Sequence, residues 1–187
     1  MSFAVPADAY DRFMGRYSTR LAPLFADFAG VQGGQRALDV GCGPGALTGV
    51  LVDRLGAEAV TAVDPSESFV AAVRDRYPDV DVGRAPAEDL PFGDEEFDLA
   101  LAQLVVHFMA DPVAGLREMA RVGGSVTACV WDHGSAGKGP LSVFWEAVHE
   151  TDRTPPANRR FPGREKATSP NCSARPGSTI PRRPSSP

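Results

Sequence analysis

The chain has 187 residues, 43% of them apolar, and a formal net charge of −5. That suits one domain with a real core and hardly two. No apolar run reaches the ~18 residues of a membrane span, the start lacks the pattern of a secretory signal, and the acidic balance argues against nucleic acid as a partner.

Residues 7–15 predict a short helix, and Ser18 is placed to cap a second one on which Leu21, Leu24, Phe25 and Phe28 share a face. Strand one is expected at 36–40 and runs into Gly41-Cys42-Gly43-Pro44-Gly45. Glycines suit a backbone that must bend sharply and let a ligand approach where a Cβ would clash, and Pro44 stiffens the turn. The helix that follows carries Leu47, Val50, Leu51 and Leu55 and stops at Gly56.

Strand two, 59–63, ends in Asp64, nineteen residues after Gly45. That is close to the ~20-residue spacing at which a dinucleotide fold places its ribose-binding acid; the plain alternative is a turn or cap acid ahead of Pro65 and Ser66. Ser66 is expected to cap a helix whose Phe69, Val70, Val73 and Tyr77 face inward until Pro78 ends it. Val80 and Val82 suggest a third strand and 97–101 a fourth. Asp111 caps a helix with Pro112 at its first position, its Val113, Leu116 and Met119 facing the core, and Ser125–Trp131 is the fifth strand. Strands alternating with helices at this rhythm imply a parallel, doubly wound sheet with a ligand at the strands' carboxyl ends.

Leu141, Phe144, Trp145 and Val148 make one further amphipathic helix, a lid or a sheet-edge packing element. Composition turns linker-like from Thr151. Residues 162–187 hold five basic side chains and one acid, rich in Pro and Ser, so this tail is expected to be disordered. Cys42, Cys129 and Cys172 lie far apart with no metal-ligand spacing; no metal is expected, and reduced thiols in a cytoplasm are the simple reading.

The glycine loop reads G-x-G-x-G, with Ala46 where the third glycine of the dinucleotide fingerprint G-x-G-x-x-G would fall, so a pyrophosphate site is less favoured. Leu38-Asp39-Val40-Gly41-Cys42-Gly43-Pro44-Gly45 resembles motif I of the class I S-adenosylmethionine-dependent methyltransferases. Asp64 matches their ribose acid. Ala87-Glu88-Asp89-Leu90-Pro91-Phe92 matches their adenine-side loop, especially in the subfamily (methyltransferase type 11) similar to ubiquinone/menaquinone C-methyltransferases. The likeness runs from about Tyr10 to Asp132.

The resemblance implies an α/β, Rossmann-like, mainly parallel sheet in three αβα layers, S-adenosyl-L-methionine as cofactor, and methyl transfer by in-line displacement to a small-molecule acceptor, with neither nucleic acid nor membrane as partner. It implies that Gly41, Cys42 and Gly43 lie under the methionine portion and ribose, Asp64 binds the ribose hydroxyls, Pro65 lies near the adenine, Ala87 offers its amide to an adenine nitrogen beside Glu88, and Gln103 closes the pocket near the methyl group. Arg16 and Tyr17, in the N-terminal segment that folds over the cofactor in this family, are candidates for its carboxylate or ribose; a surface aromatic with a solvated arginine is the alternative. His107 is the candidate base, with a structural histidine as the alternative, and Asp39 is expected to orient the loop. His133, beside Asp132, and His149 are weaker candidates.

Three departures stand out. Pro86 replaces the acid that many relatives place before the Ala-Glu pair. Arg121-Val122-Gly123-Gly124 leaves an unusually short helix-to-strand connection. After the 141–150 helix no alternating apolar run remains for the family's last two strands, so these are expected to be missing and the chain to be truncated or frame-shifted. The expected organisation is therefore 1–35, N-terminal helices covering the cofactor; 36–150, the cofactor-binding methyltransferase domain; and 151–187, a disordered tail. The rival readings are a non-catalytic S-adenosylmethionine-binding remnant and an NAD-dependent oxidoreductase.

Overall fold

β1 (Ala37–Val40) is buried at all four positions, as a central strand covered on both faces must be. In the computed structural model, which describes residues 14–131, it pairs in parallel with β2 (Val60–Asp64) on one side and β4 (Phe97–Gln103) on the other. β3 (Asp81–Arg84) flanks β2 and β5 (Gly123–Cys129) flanks β4, giving the order β3-β2-β1-β4-β5, parallel throughout. The chain reverses direction across the sheet between β1 and β4, the position at which doubly wound sheets open a crevice at the strands' carboxyl ends.

The two-residue period of the strands divides the core. Ala37, Leu99 and Leu101 face a layer made by α1 (Arg16–Phe28), α2 (Ala46–Leu55) and α3 (Glu67–Arg76), packed through Phe25, Leu51, Val70 and Val73. Leu38, Val40, Ala100 and Ala102 face the other way, onto α4 (Pro112–Val122) through Met119 and Val122. This is the three-layer arrangement expected.

Helix ends follow local chemistry. Asp111 Oδ1 accepts the Val113 and Ala114 amides, each at 3.0 Å, ahead of Pro112. Gly56 ends α2 with φ of 86°. Ser66 occupies the cap position of α3, but its hydroxyl pairs with Ser68 Oγ at 2.9 Å instead of capping.

Besides the Ser66 cap, the structure corrects four expectations. Ser18 is not a cap: α1 already begins at Arg16, and the Ser18 hydroxyl donates one turn back to Met14 O at 3.1 Å. Leu24 (65% exposed) and Phe28 (77%) lie off the buried stripe, because the helix turns Ala22, Phe25 and Ala26 inward. Val113 is exposed, since the close approach of α4 to the sheet is made by Gly115, Met119 and Val122. β5 begins at Gly123, two residues early: α4 ends at Val122 and the strand starts at once. A Cβ at Gly123 would stand 2.8 Å from Ala100 Cβ and 3.1 Å from Ala100 N, so glycine here permits a joint with no loop. The helix expected at 7–15 lies largely outside the described residues; that at 141–150, the tail and the missing last strands lie wholly outside them.

Candidate functional site

Three left-handed glycines, Gly41 (φ 70°), Gly43 (54°) and Gly45 (91°), fold the chain back after β1. The loop is held by its own amides. Gly41 N and Cys42 N both donate to Val63 O, at 2.8 and 3.0 Å, and Gly45 N donates to Cys42 O at 3.0 Å. Gly43 N donates to Asp64 Oδ2 at 3.0 Å, and Ser66 N donates to Asp64 Oδ1 at 2.8 Å. Thus the acid ending β2 is physically part of the glycine loop. A Cβ on Gly41 would lie 2.5 Å from Val105 Cγ1, so Val105 can seal the loop only over a glycine.

Asp39 stands one strand over, 1% exposed, its Oδ2 accepting the Thr48 hydroxyl at 2.7 Å. That bond ties β1 to the first turn of α2, as expected of a residue that orients the loop. Burial pushes its carboxyl up to about 7; Thr48 pulls it down and the nearby Asp64 adds to the rise. Burial also raises Asp64, against the opposing pull of the Ser66 and Gly43 amides. The Cys42 thiol is pushed well up by burial and by both carboxyls, so it is an inert lining group.

These residues line a concave cleft open to solvent on one side. The structure brings Gly41, Cys42, Gly43, Asp64, Pro65 and Gln103 together on its walls. Gln103 is the last residue of β4 rather than just beyond it. Its Nε2 donates to Ser18 O at 3.1 Å, while its Oε1 is buried with no partner.

The remaining sequence candidates sit elsewhere. Ala87 is buried under α4. Glu88 is committed to the loop ahead of α4, its Oε1 accepting the Ala110 and Asp111 amides at 2.6 and 3.1 Å. Arg16 and Tyr17 line a second cleft with Trp131, whose ring meets Tyr17 edge-on at 5.8 Å. His107 is exposed on a 3₁₀ turn, Val106–Phe108; its neighbour Phe108, not His107, reaches the first cleft. His133 and His149 fall outside the described residues.

Sequence reasoning missed Ser18, Phe69, Leu104, Val105 and Phe108 as lining residues. Leu104 is the least expected, a buried leucine at φ 61° whose amide donates to Cys129 O at 2.9 Å. Bulky residues rarely adopt that conformation, and no sequence signal announces it.

Comparisons with known proteins identify the family. Residues 38–126 match the methyltransferase domain family. The chain is 30% identical to a phosphatidylethanolamine N-methyltransferase of Cereibacter sphaeroides over 78% of this chain and 73% of that protein. It is 37% identical to the ubiquinone/menaquinone biosynthesis C-methyltransferase UbiE of Stenotrophomonas maltophilia over 50% of this chain; there it spans only 40% of the relative's length. A SAM-dependent methyltransferase from Aquifex aeolicus shares the fold, with TM-score 0.59 at 21% identity over 79% of this chain and 87% of that one. The chain belongs to the class I S-adenosylmethionine-dependent methyltransferases.

Proposed function

We propose that this chain binds S-adenosyl-L-methionine in the first cleft and transfers its methyl group in line to a small-molecule acceptor. The observation that carries the reading is the Asp64 carboxylate, buried at the cleft wall and fastened to the glycine loop through Gly43 N. Each carboxylate oxygen accepts one amide and keeps lone-pair capacity for a ribose hydroxyl. The donor set also fits: Gln103 Oε1 is a buried acceptor in need of a donor, which the cofactor's ammonium or hydroxyl groups would satisfy. Gly41, Cys42 and Gly43 would line the methionine portion and ribose, and Pro65 the adenine.

Bound there, the cofactor would supply a methyl group activated by a cationic sulfur, for transfer to the acceptor's nucleophile with the sulfur as leaving group. The protein's task is then alignment and exclusion of water. A base is needed only for a nucleophile that keeps its proton until late. His107, one residue before the cleft-lining Phe108, is the candidate for that case; a His107→Ala variant whose rate and pH profile of methyl transfer equal those of wild type would remove it.

The loop amides speak against the nicotinamide reading. Gly41, Cys42, Gly43 and Gly45 each donate within the protein, whereas a pyrophosphate needs such amides turned toward it. In this reading residues 1–35 cover the cofactor, 36–150 form the cofactor-binding methyltransferase domain and 151–187 a tail, and the protein works in the cytoplasm. Among the described residues no helix is long and apolar enough to cross a membrane.

Calorimetry with S-adenosylhomocysteine tests binding, and absence of heat together with a positive NAD titration overturns the assignment. A methyl-release assay with candidate acceptors, phosphatidylethanolamine among them because of the Cereibacter relative, separates an enzyme from a binding remnant.

A further inference from the structure

Gly43 and Pro44, at the middle of the glycine loop, are held by the two ends of one β2–α3 unit. At the start of that unit Asp64 Oδ2 accepts the Gly43 amide at 3.0 Å. At its far end Arg76, the last residue of α3, donates from Nη1 to Pro44 O at 3.2 Å. Between the two ends, Pro65 and Phe69 line the first cleft. Proline has no N–H, so the carbonyl is the one backbone group by which Pro44 can be tied, and Arg76 takes it.

The close approach behind this bond is built into α2. A Cβ at Gly45 would stand 3.1 Å from Tyr77 Cε2 and 3.2 Å from Val73 Cγ2, and a Cβ at Gly49 would collide with the Tyr77 hydroxyl. Gly49 lies inside α2, where glycine is normally unfavourable. Its place is explained by Tyr77, which seats the end of α3 in the notch between Gly45 and Gly49 and so brings Arg76 to the loop.

From this geometry we infer that Arg76 is a positioning residue for the methyl donor. Pro44 lines the cleft and Arg76 stands behind it. Pro44 is flanked by Gly43 and Gly45, both left-handed, and glycine adopts either sign of φ readily. Fixing the Pro44 carbonyl removes that freedom before the ligand arrives. A loop ordered in advance binds more tightly than one the ligand must order. The inference rests on the methyl-transfer reading for the identity of the ligand.

Arg76 has a further interaction of its own, so the test separates the bond from the charge. Arg76→Met loses the donors and keeps an apolar stem; Arg76→Lys keeps the charge and a donor that can serve one carbonyl. Arg74→Met is the matched control. It removes the same charge from the same helix and a bond of the same kind, Nη2 to Val82 O at 2.8 Å, on β3 instead of the loop. Calorimetry with S-adenosylhomocysteine, below the melting temperature of every variant, reads affinity, and amide exchange at Gly43 and Gly45 reads the loop. Arg76→Met should bind about tenfold more weakly, the effect of one charge-assisted bond, with faster exchange at both amides. Arg76→Lys should lie between it and wild type, and Arg74→Met should match wild type in both readouts. Wild-type affinity in Arg76→Met, an equal loss in Arg74→Met, or no recovery in Arg76→Lys each overturns the inference. Should Arg76→Met fail to fold, exchange in Arg76→Lys decides: faster exchange at Gly43 and Gly45 than in Arg74→Met upholds the positioning role, and equal exchange overturns it. If the wild-type protein does not bind S-adenosylhomocysteine, the methyl-transfer reading falls and this role with it; if it binds and Arg76→Met binds equally, the positioning role alone falls.

Discussion

Asp64 Oδ2 accepts the Gly43 amide at 3.0 Å, which makes the end of β2 and the turn after β1 a single unit. Asp64→Ala strips partners from the Gly43 and Ser66 amides together. It should cost about 1–3 kcal/mol of stability, the usual penalty for buried donors left unpaired, and weaken S-adenosylhomocysteine by tenfold or more. Asp64→Asn keeps one carbonyl oxygen and should fall between. Thermal melts and calorimetry on both variants decide it; full affinity in Asp64→Ala would detach the acid from the ligand.

Asp39 supplies a pH signature. Its folded carboxyl titrates near 7 against an ordinary 3.8, lifted by burial. The folded chain therefore holds this proton more tightly than the unfolded chain. The stabilisation is complete below about 3.8 and is lost as pH rises toward about 7. Asp39→Asn remains neutral and can still accept from Thr48. Relative to wild type, the variant should gain on the order of 2–3 kcal/mol between pH 5 and pH 8. Parallel stability curves across that range would show that Asp39 is charged throughout.

Gly123 tests the joint between α4 and β5. Alanine there meets Ala100 N and Met119 O, at 3.1 and 3.2 Å, and both are backbone. Neither can retreat without moving a strand or a helix, so Gly123→Ala should cost about 1–3 kcal/mol. Gly124→Ala, whose nearest neighbour would be 3.4 Å away, is the control and should be close to neutral. Denaturant melts of the pair give the comparison directly.

Arg121 spends every guanidinium N–H. Nε and Nη2 grip Glu118, Nη2 also reaches Leu90 O, and Nη1 reaches Phe92 O and Asp94. The fork thereby pins residues 90–94 against α4. Arg121→Lys cannot reproduce that geometry. Amide exchange in residues 90–96 should accelerate while β1 and β4 keep their protection; unchanged exchange would mean that the segment is held by its apolar contacts alone.

Much of the fold could be read in advance because it rests on short-range chemistry. The 36–40 strand, the glycine turn, the Asp111-Pro112 start and the Gly56 stop each announce themselves within a few residues. What failed was orientation and close approach. Helical spacing grouped Leu24 and Phe28 with Phe25, but α1 buries small Ala22 and Ala26 instead, a choice made by the neighbouring α2 and sheet. Gly123 and Gly124 read as an unusually short connection, whereas they already belong to the strand and at Gly123 the missing side chain serves packing. In the cleft, Gly41 and Gly43 were legible because a left-handed backbone favours glycine, and Asp64 because an acid closing an apolar strand stands out in the sequence. Leu104 was not, since nothing in a leucine foretells a left-handed φ imposed by its surroundings.

That leucine has a consequence for how this scaffold can change over time. Its bend sends the chain from Gln103 at one wall to Val105 over Gly41 and Phe108 at the cleft. A costly conformation, about 1–2 kcal/mol for a side chain of this kind, thus serves three surfaces at once, and none of them can drift alone. Substitutions should accumulate instead on the outward face of α1, where exposed side chains such as Leu24 and Phe28 can be exchanged without disturbing the glycine loop.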